Sequence, residues 1–164
     1  MEVLIKFAYT GSISWQMVSN VPDFIRDADY LGFDDLKEEG IKYLATNLHP
    51  LNAIEGYYLS DEWNSTLLKE ASQNTIIKNF ETLRENDGFL QLSIESLKDI
   101  LSSVPFIYSS EKIFEGVLRW VVEDYEERKL HLMDLFQLIK VGYADSNMIH
   151  RIAQKLFKGS KQQM

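Results

Sequence analysis

An all-α fold is predicted by three observations on the sequence. Apolar residues recur at three- and four-residue spacing along nearly the whole chain, the period that buries one face of a helix. Only 8 Gly and 3 Pro occur in 164 residues, too little turn chemistry for a sheet of many short strands. Ser, Asn, Asp or Pro stands ahead of most of the apolar runs, where helix starts need caps. With 45% hydrophobic and 12% aromatic residues the chain can close a sizeable core, which argues against disorder.

Taken in order, Val3, Leu4, Phe7 and Ala8 make one apolar face, closed by Gly11 as a C-cap. Asn20 caps the next helix with Asp23 as its capping-box-like partner and Pro22 in the first turn; Val21, Phe24, Ile25, Ala28 and Leu31 form the face to be buried. After the turn at Gly32-Phe33, Asp34 caps a helix through Leu36, Ile41, Leu44 and Leu48. His49-Pro50 restarts the chain, with Pro at the first helical position and Leu51, Ile54, Tyr57 and Tyr58 at helical spacing. Ser65 caps a helix carrying Leu67, Leu68, Ala71, Ile76 and Phe80. Asn86-Asp87-Gly88 reads as a turn, Ser93 as the cap of a short helix with Leu97, Ile100 and Leu101, and Pro105 as a break. Ser109 or Ser110 caps a strong helix with Ile113, Phe114, Val117, Leu118 and Val121. Two further runs follow, Leu130, Met133, Phe136 and Ile139, then Ile149, Ile152, Ala153 and Leu156 after Ser146. The short connections suit antiparallel helix pairs, and the polar stretch 158–164 reads as a frayed tail.

The net charge of −8 makes phosphate backbones and anionic membranes poor partners, so neither nucleic acid nor membrane is expected. No apolar run approaches the length of a bilayer span, and the first residues do not read as a signal peptide. A chain of the cytoplasm, with the nucleus open as a second location, is the expectation. The absence of cysteine excludes disulfides, thiolate zinc sites and a thiol nucleophile. Glycines are scattered singly, so no phosphate-cradling loop is expected. His49, His131 and His150 lack ligand spacing, and His131 near Asp124 and Glu127 reads as a solvated face. The acidic clusters at Asp34-Asp35, Glu38-Glu39 and Glu123-Asp124 with Glu126-Glu127 read as helix-dipole and solubility residues, not as a general acid and base. No catalytic, cofactor or metal residue is therefore assigned. Trp120 is expected in the core. Trp63, after Asp61-Glu62, reads as packed locally, with an exposed partner anchor as the alternative.

Several phrases carry a resemblance. Phe7-Ala8-Tyr9-Thr10-Gly11-Ser12-Ile13, then Ala28-Asp29-Tyr30-Leu31, look like the later helices of a BTB domain. Leu48, Pro50, Asn52 and Ala53 resemble the BTB-to-BACK junction. Asn79-Phe80, Phe89-Leu90-Gln91-Leu92, and Phe114-Glu115-Gly116-Val117-Leu118-Arg119-Trp120-Val121 look like the BACK signature of kelch-like proteins, in the family's order from about Val3 to Ile149.

The resemblance implies the last helices of a BTB domain over 1–49 and a BACK domain of antiparallel helical hairpins over 50–157, opening with its 3-box. It implies a non-catalytic adaptor of a cullin-3 ubiquitin ligase, with Tyr9 near the cullin contact and Leu51, Ile54, Tyr57 and Tyr58 in the 3-box. An apolar groove is expected among the helices at 21–31, 34–48 and 50–60. The alternative is a structural spacer with no cullin contact. The family's BTB sheet, dimerising helix and hydrophobic-x-Glu cullin motif have no counterpart in the sequence, nor does its propeller. Cullin affinity is therefore expected to be weakened or lost in this chain, and homodimerisation is implied only for a full-length protein. His49, Ser65 and Thr75 depart from the family's usual Asp, Cys and Phe.

Overall fold

The computed structural model describes residues 7, 9, 11, 13–84, 86–103, 110–139 and 154. Every regular element among them is helical. These are α1 (Val21–Tyr30), α2 (Asp34–Thr46), α3 (Pro50–Glu62), α4 (Thr66–Lys78), α5 (Phe80–Leu83), α6 (Asp87–Leu90), α7 (Ile94–Ser102), α8 (Ser110–Glu123), α9 (Tyr125–Arg128) and α10 (Leu132–Leu138), with 3-10 turns at Trp15–Met17 and Lys129–His131. The chain divides into two compact units, Met1–Ser72 and Gln73–Met164.

In the first unit, local chemistry sets the helix ends. Asn20 Oδ1 accepts the Asp23 N–H at 3.1 Å and starts α1, with Pro22 in its first turn, where a missing N–H leaves no bond unmade. Gly32, at φ +74°, turns the chain into α2. His49 Nδ1 accepts the Leu51 N–H at 3.4 Å while Asn52 Oδ1 accepts the His49 N–H at 2.7 Å, a reciprocal cap for α3. Ser65 Oγ accepts the Leu68 N–H at 3.2 Å and opens α4. Two apolar clusters hold these elements together. Ile25, Ile41, Leu44, Leu59, Trp63 and Leu68 form one, and Phe24, Ala28 and Leu36, with Phe7, Trp15 and Phe33 against them, form the other. Trp15 stacks on Tyr43 at 5.0 Å and meets Phe24 edge-on at 5.5 Å. Each large side chain buried this way stabilises the fold by about 1.5–3 kcal/mol.

The core of the second unit centres on Trp120. Its Nε1 donates to the Leu92 carbonyl at 2.9 Å. The Arg128 guanidinium lies 4.2 Å from the indole ring and donates to the Leu90 and Trp120 carbonyls, both at 2.8 Å. Phe114 stacks on Phe136 at 4.4 Å, and Phe80 meets Phe89 edge-on at 5.1 Å. Ser93 Oγ accepts the Ser96 N–H at 3.1 Å and caps α7.

Several expectations are corrected. Asp34 is the first residue of α2 rather than its cap, and its carboxylate acts through the helix dipole alone. Asn86-Asp87-Gly88 is a helix start, where Asn86 Oδ1 accepts the Gly88 N–H at 2.8 Å. Leu31, Leu67, Leu130 and Met133 are exposed. The last two miss the core because the 3-10 turn at 129–131 shifts the helical phase; Leu135 is buried in their place, while Ile139 is buried as expected. Pro105, Ser109 and the apolar residues Ile149, Ile152, Ala153 and Leu156 lie outside the described residues, as do the side chain of Ser110 and residues Val3, Leu4 and Ala8.

Candidate partner groove

A groove of about 380 Å³ opens among α1, α2 and α3 of the first unit. The start of α1 contributes Val21 and Pro22, the end of α2 Tyr43, Leu44 and Asn47, and α3 Asn52, Glu55, Gly56 and Leu59. Its floor is apolar, since Leu44 and Leu59 belong to the buried cluster beneath it. Its rim carries amides held in place by the bonds that end the helices. Asn20 caps α1, Asn47 Nδ2 donates to the Tyr43 carbonyl at 2.8 Å, and Asn52 is engaged by His49. Side chains fixed this way lose little entropy when a partner docks. Glu55 adds an exposed carboxylate. An apolar floor with a polar, immobile rim suits a short protein segment.

A second recess of about 540 Å³ is lined by Ile41, Trp63 and Leu67 together with Lys37, Glu38 and Lys42. There Lys37 is paired with Asp29 at 2.7 Å and Lys42 with Glu38 at 3.6 Å, so charges crowd its mouth. The three-helix groove is the better site for an apolar segment.

The five residues singled out from the sequence fall into two groups. Tyr9 at 88% exposure, Leu51 at 79% and Tyr58 at 44% face solvent, whereas Ile54 and Tyr57 are buried. None of the five lines the groove, although four of them share α3 with it. Asn52, Glu55, Gly56 and Leu59 were not singled out. Polar and small residues at helical spacing read as a solvated face, and the signal that finds them is their i, i+3, i+4, i+7 register on a helix between two others. Trp63 is buried, as the packed reading expects.

The electrostatics are those of surface pairs. Arg26 donates to both carboxylate oxygens of Glu62, at 2.9 and 3.2 Å, and this fork holds the Glu62 carboxyl below its ordinary range. Among the described residues no group of three or more His, Cys, Asp or Glu is placed to hold a metal, and no helix is long and apolar enough to cross a membrane.

Residues 53–154 match the family model described as BACK, "BTB And C-terminal Kelch". The chain belongs to the BACK family. It is similar to Kelch-like protein 25 of Homo sapiens, with 31% identity over 150 residues, 91% of this chain and 25% of the relative. Kelch-like protein 25 of Xenopus tropicalis is 30% identical with the same coverage. Kelch repeat and BTB domain-containing protein 8 of Mus musculus is 25% identical over 154 residues, 93% of this chain and 26% of the relative. The matched stretch thus extends ahead of the BACK region, and the chain is a BTB-BACK-type family member that spans about a quarter of the length of these relatives.

Proposed function

We propose that this chain is the cullin-facing part of a BTB-BACK adaptor, which seats an apolar segment of cullin-3 in the groove among α1, α2 and α3. The observation that carries the reading is the groove itself, an apolar floor under a rim of capped asparagines in the unit where the family resemblance puts the cullin contact. Exposed Tyr9, Leu51 and Tyr58 then offer flanking contacts, while Ile54 and Tyr57 support α3 from beneath. The BTB-derived helices end near residue 49 and α3 opens the BACK part as its 3-box, in keeping with the family match that begins at residue 53. Helical hairpins of the BACK type continue through the second unit and position a substrate-binding domain relative to the cullin. The ligase assembly places the protein in the cytoplasm or nucleus, and a full-length form dimerises through its BTB domain.

Calorimetric titration with the N-terminal domain of cullin-3, including its N-terminal extension, tests the proposal. Saturable binding is expected, weakened by about tenfold or more in Leu51→Asp and in Glu55→Arg. Both side chains are exposed, so the fold survives the changes. No binding by this chain, and none when a complete BTB domain is joined ahead of it, overturns the adaptor reading in favour of a structural spacer.

A further inference from the structure

We infer that Gly56 is a positioning residue that sets the width of the groove by letting α3 lie directly on the Ser72 hydroxyl and the Leu48 methyl. The inference rests on the groove reading above and deepens it.

Gly56 is buried in the middle of α3 and contributes to the groove wall. Toward its neighbours, a Cβ at this position would stand 2.9 Å from Leu48 Cδ2 and 2.9 Å from Ser72 Oγ. Both separations lie well inside ordinary carbon contact, so something must shift when a methyl group is added. The Leu48 methyl is the end of a flexible side chain and can turn aside. The Ser72 hydroxyl is one bond from the Cβ of a fully buried residue on a 13-residue helix, α4, and has far less freedom. Helix α3 therefore gives way. Leu59 and Asn52 ride on the same helix, so the displacement moves the floor and the rim of the groove together relative to α1 and α2.

Ser72 adds a second observation. Its Oγ is buried and makes no hydrogen bond among the described residues. A helical serine ordinarily returns its hydroxyl to a carbonyl one turn back. Here the group is unsatisfied at the one point where it meets the glycine, so its bulk rather than its polarity is what α3 feels. Removing that oxygen should relieve the contact at no hydrogen-bond cost.

The test compares the full chain with Gly56→Ala, Ser72→Ala and the double variant. Two readouts are used, affinity for the cullin-3 N-terminal domain with its extension, and amide NMR shifts of Val21 and Asn47 on the far walls. Gly56→Ala is expected to weaken binding about tenfold, which corresponds to about 1.4 kcal/mol, and to shift both amides while unfolding remains cooperative. Ser72→Ala alone is expected to leave affinity unchanged, and the double variant to regain most of the loss. Unchanged affinity and unchanged amides in Gly56→Ala overturn the inference. So does a loss that Ser72→Ala fails to relieve. If the unaltered chain does not bind, alone or with a complete BTB domain joined ahead of it, the adaptor reading is what fails, and the amide shifts and their reversal still decide the role of Gly56. If Gly56→Ala does not fold, recovery of folding in the double variant supports the contact, and its absence counts against it.

Discussion

Each unit buries a helical glycine against a neighbouring side chain, and the two neighbours differ. At Gly40 on α2, a Cβ would stand 2.6 Å from Ile25 Cγ1, 3.2 Å from Ile25 Cδ1 and 3.2 Å from Trp15 Cη2, on a buried aliphatic side chain and the edge of an indole. At Gly116 on α8 it would run into the Phe80 ring, with Cζ at 2.9 Å and the Arg84 Cβ at 3.3 Å. That ring is itself fixed edge-on against Phe89. The first unit carries an open groove over a mixed aliphatic and aromatic core, and the second closes aromatic rings and a guanidinium clamp around Trp120. The groove lies in the first unit, and the Trp120 core belongs to the second.

Substitutions that break the second unit should have the largest effect. Trp120→Ala removes a fully buried indole, its bond to Leu92 and the face on which Arg128 rests, and should cost about 3–5 kcal/mol in urea unfolding. Arg128→Met keeps the stem but leaves the Leu90 and Trp120 carbonyls without their donor, an expected loss of about 1.5–3 kcal/mol. Lysine at this position should restore part of it, because both carbonyls are met by the single nitrogen Nη1, while the stacking of the planar guanidinium on the indole is lost. Gly116→Ala should cost about 1–3 kcal/mol from overpacking, partly offset by about 1 kcal/mol of helix propensity. Gly40→Ala, measured the same way, should cost less, since it meets the aliphatic Ile25 rather than a ring held edge-on by a second ring. Equal costs at the two glycines would erase the contrast drawn between the units.

Much of this was legible in the sequence, and what was not has physical causes. The caps at Asn20, Ser65 and Ser93 are local, needing only a side-chain oxygen two or three residues ahead of an N–H, and the residue types announce them. Periodicity found the cores of α1, α7 and α8 for the same reason. It failed at Leu130 and Met133 because a 3-10 turn resets the phase, a change no apolar pattern records. The role of Arg128 could not be read from its neighbours, since its partners are carbonyls 8 and 38 residues away. A groove among α1, α2 and α3 was expected, but the residues that line it were not singled out, for a related reason. Its walls are amides, a carboxylate and a glycine, which acquire meaning only once three helices are brought together.

Smaller effects sharpen the picture of the first unit. Asn20→Ala should cost about 1 kcal/mol through loss of the α1 cap, and because Asn20 also stands on the groove rim, it should lower partner affinity as well. The Arg26–Glu62 fork gives a pH signature. The Glu62 carboxyl is depressed below its unfolded value, so the pair's contribution is present above that unfolded value and is lost as pH falls through the folded one. Following the Glu62 side-chain carboxyl by NMR titration should show the depressed midpoint, and Arg26→Met should return it toward the ordinary glutamate range. Both groups are solvent-exposed, so the effect on overall stability should be small.

The most direct test of the central claim is an NMR footprint of the cullin-3 N-terminal extension on this chain. The account predicts saturable amide shifts at Val21, Asn47, Asn52, Glu55 and Leu59 with the second unit silent. Shifts centred on the Trp120 unit, or on the charged recess around Lys37 and Lys42, would contradict it.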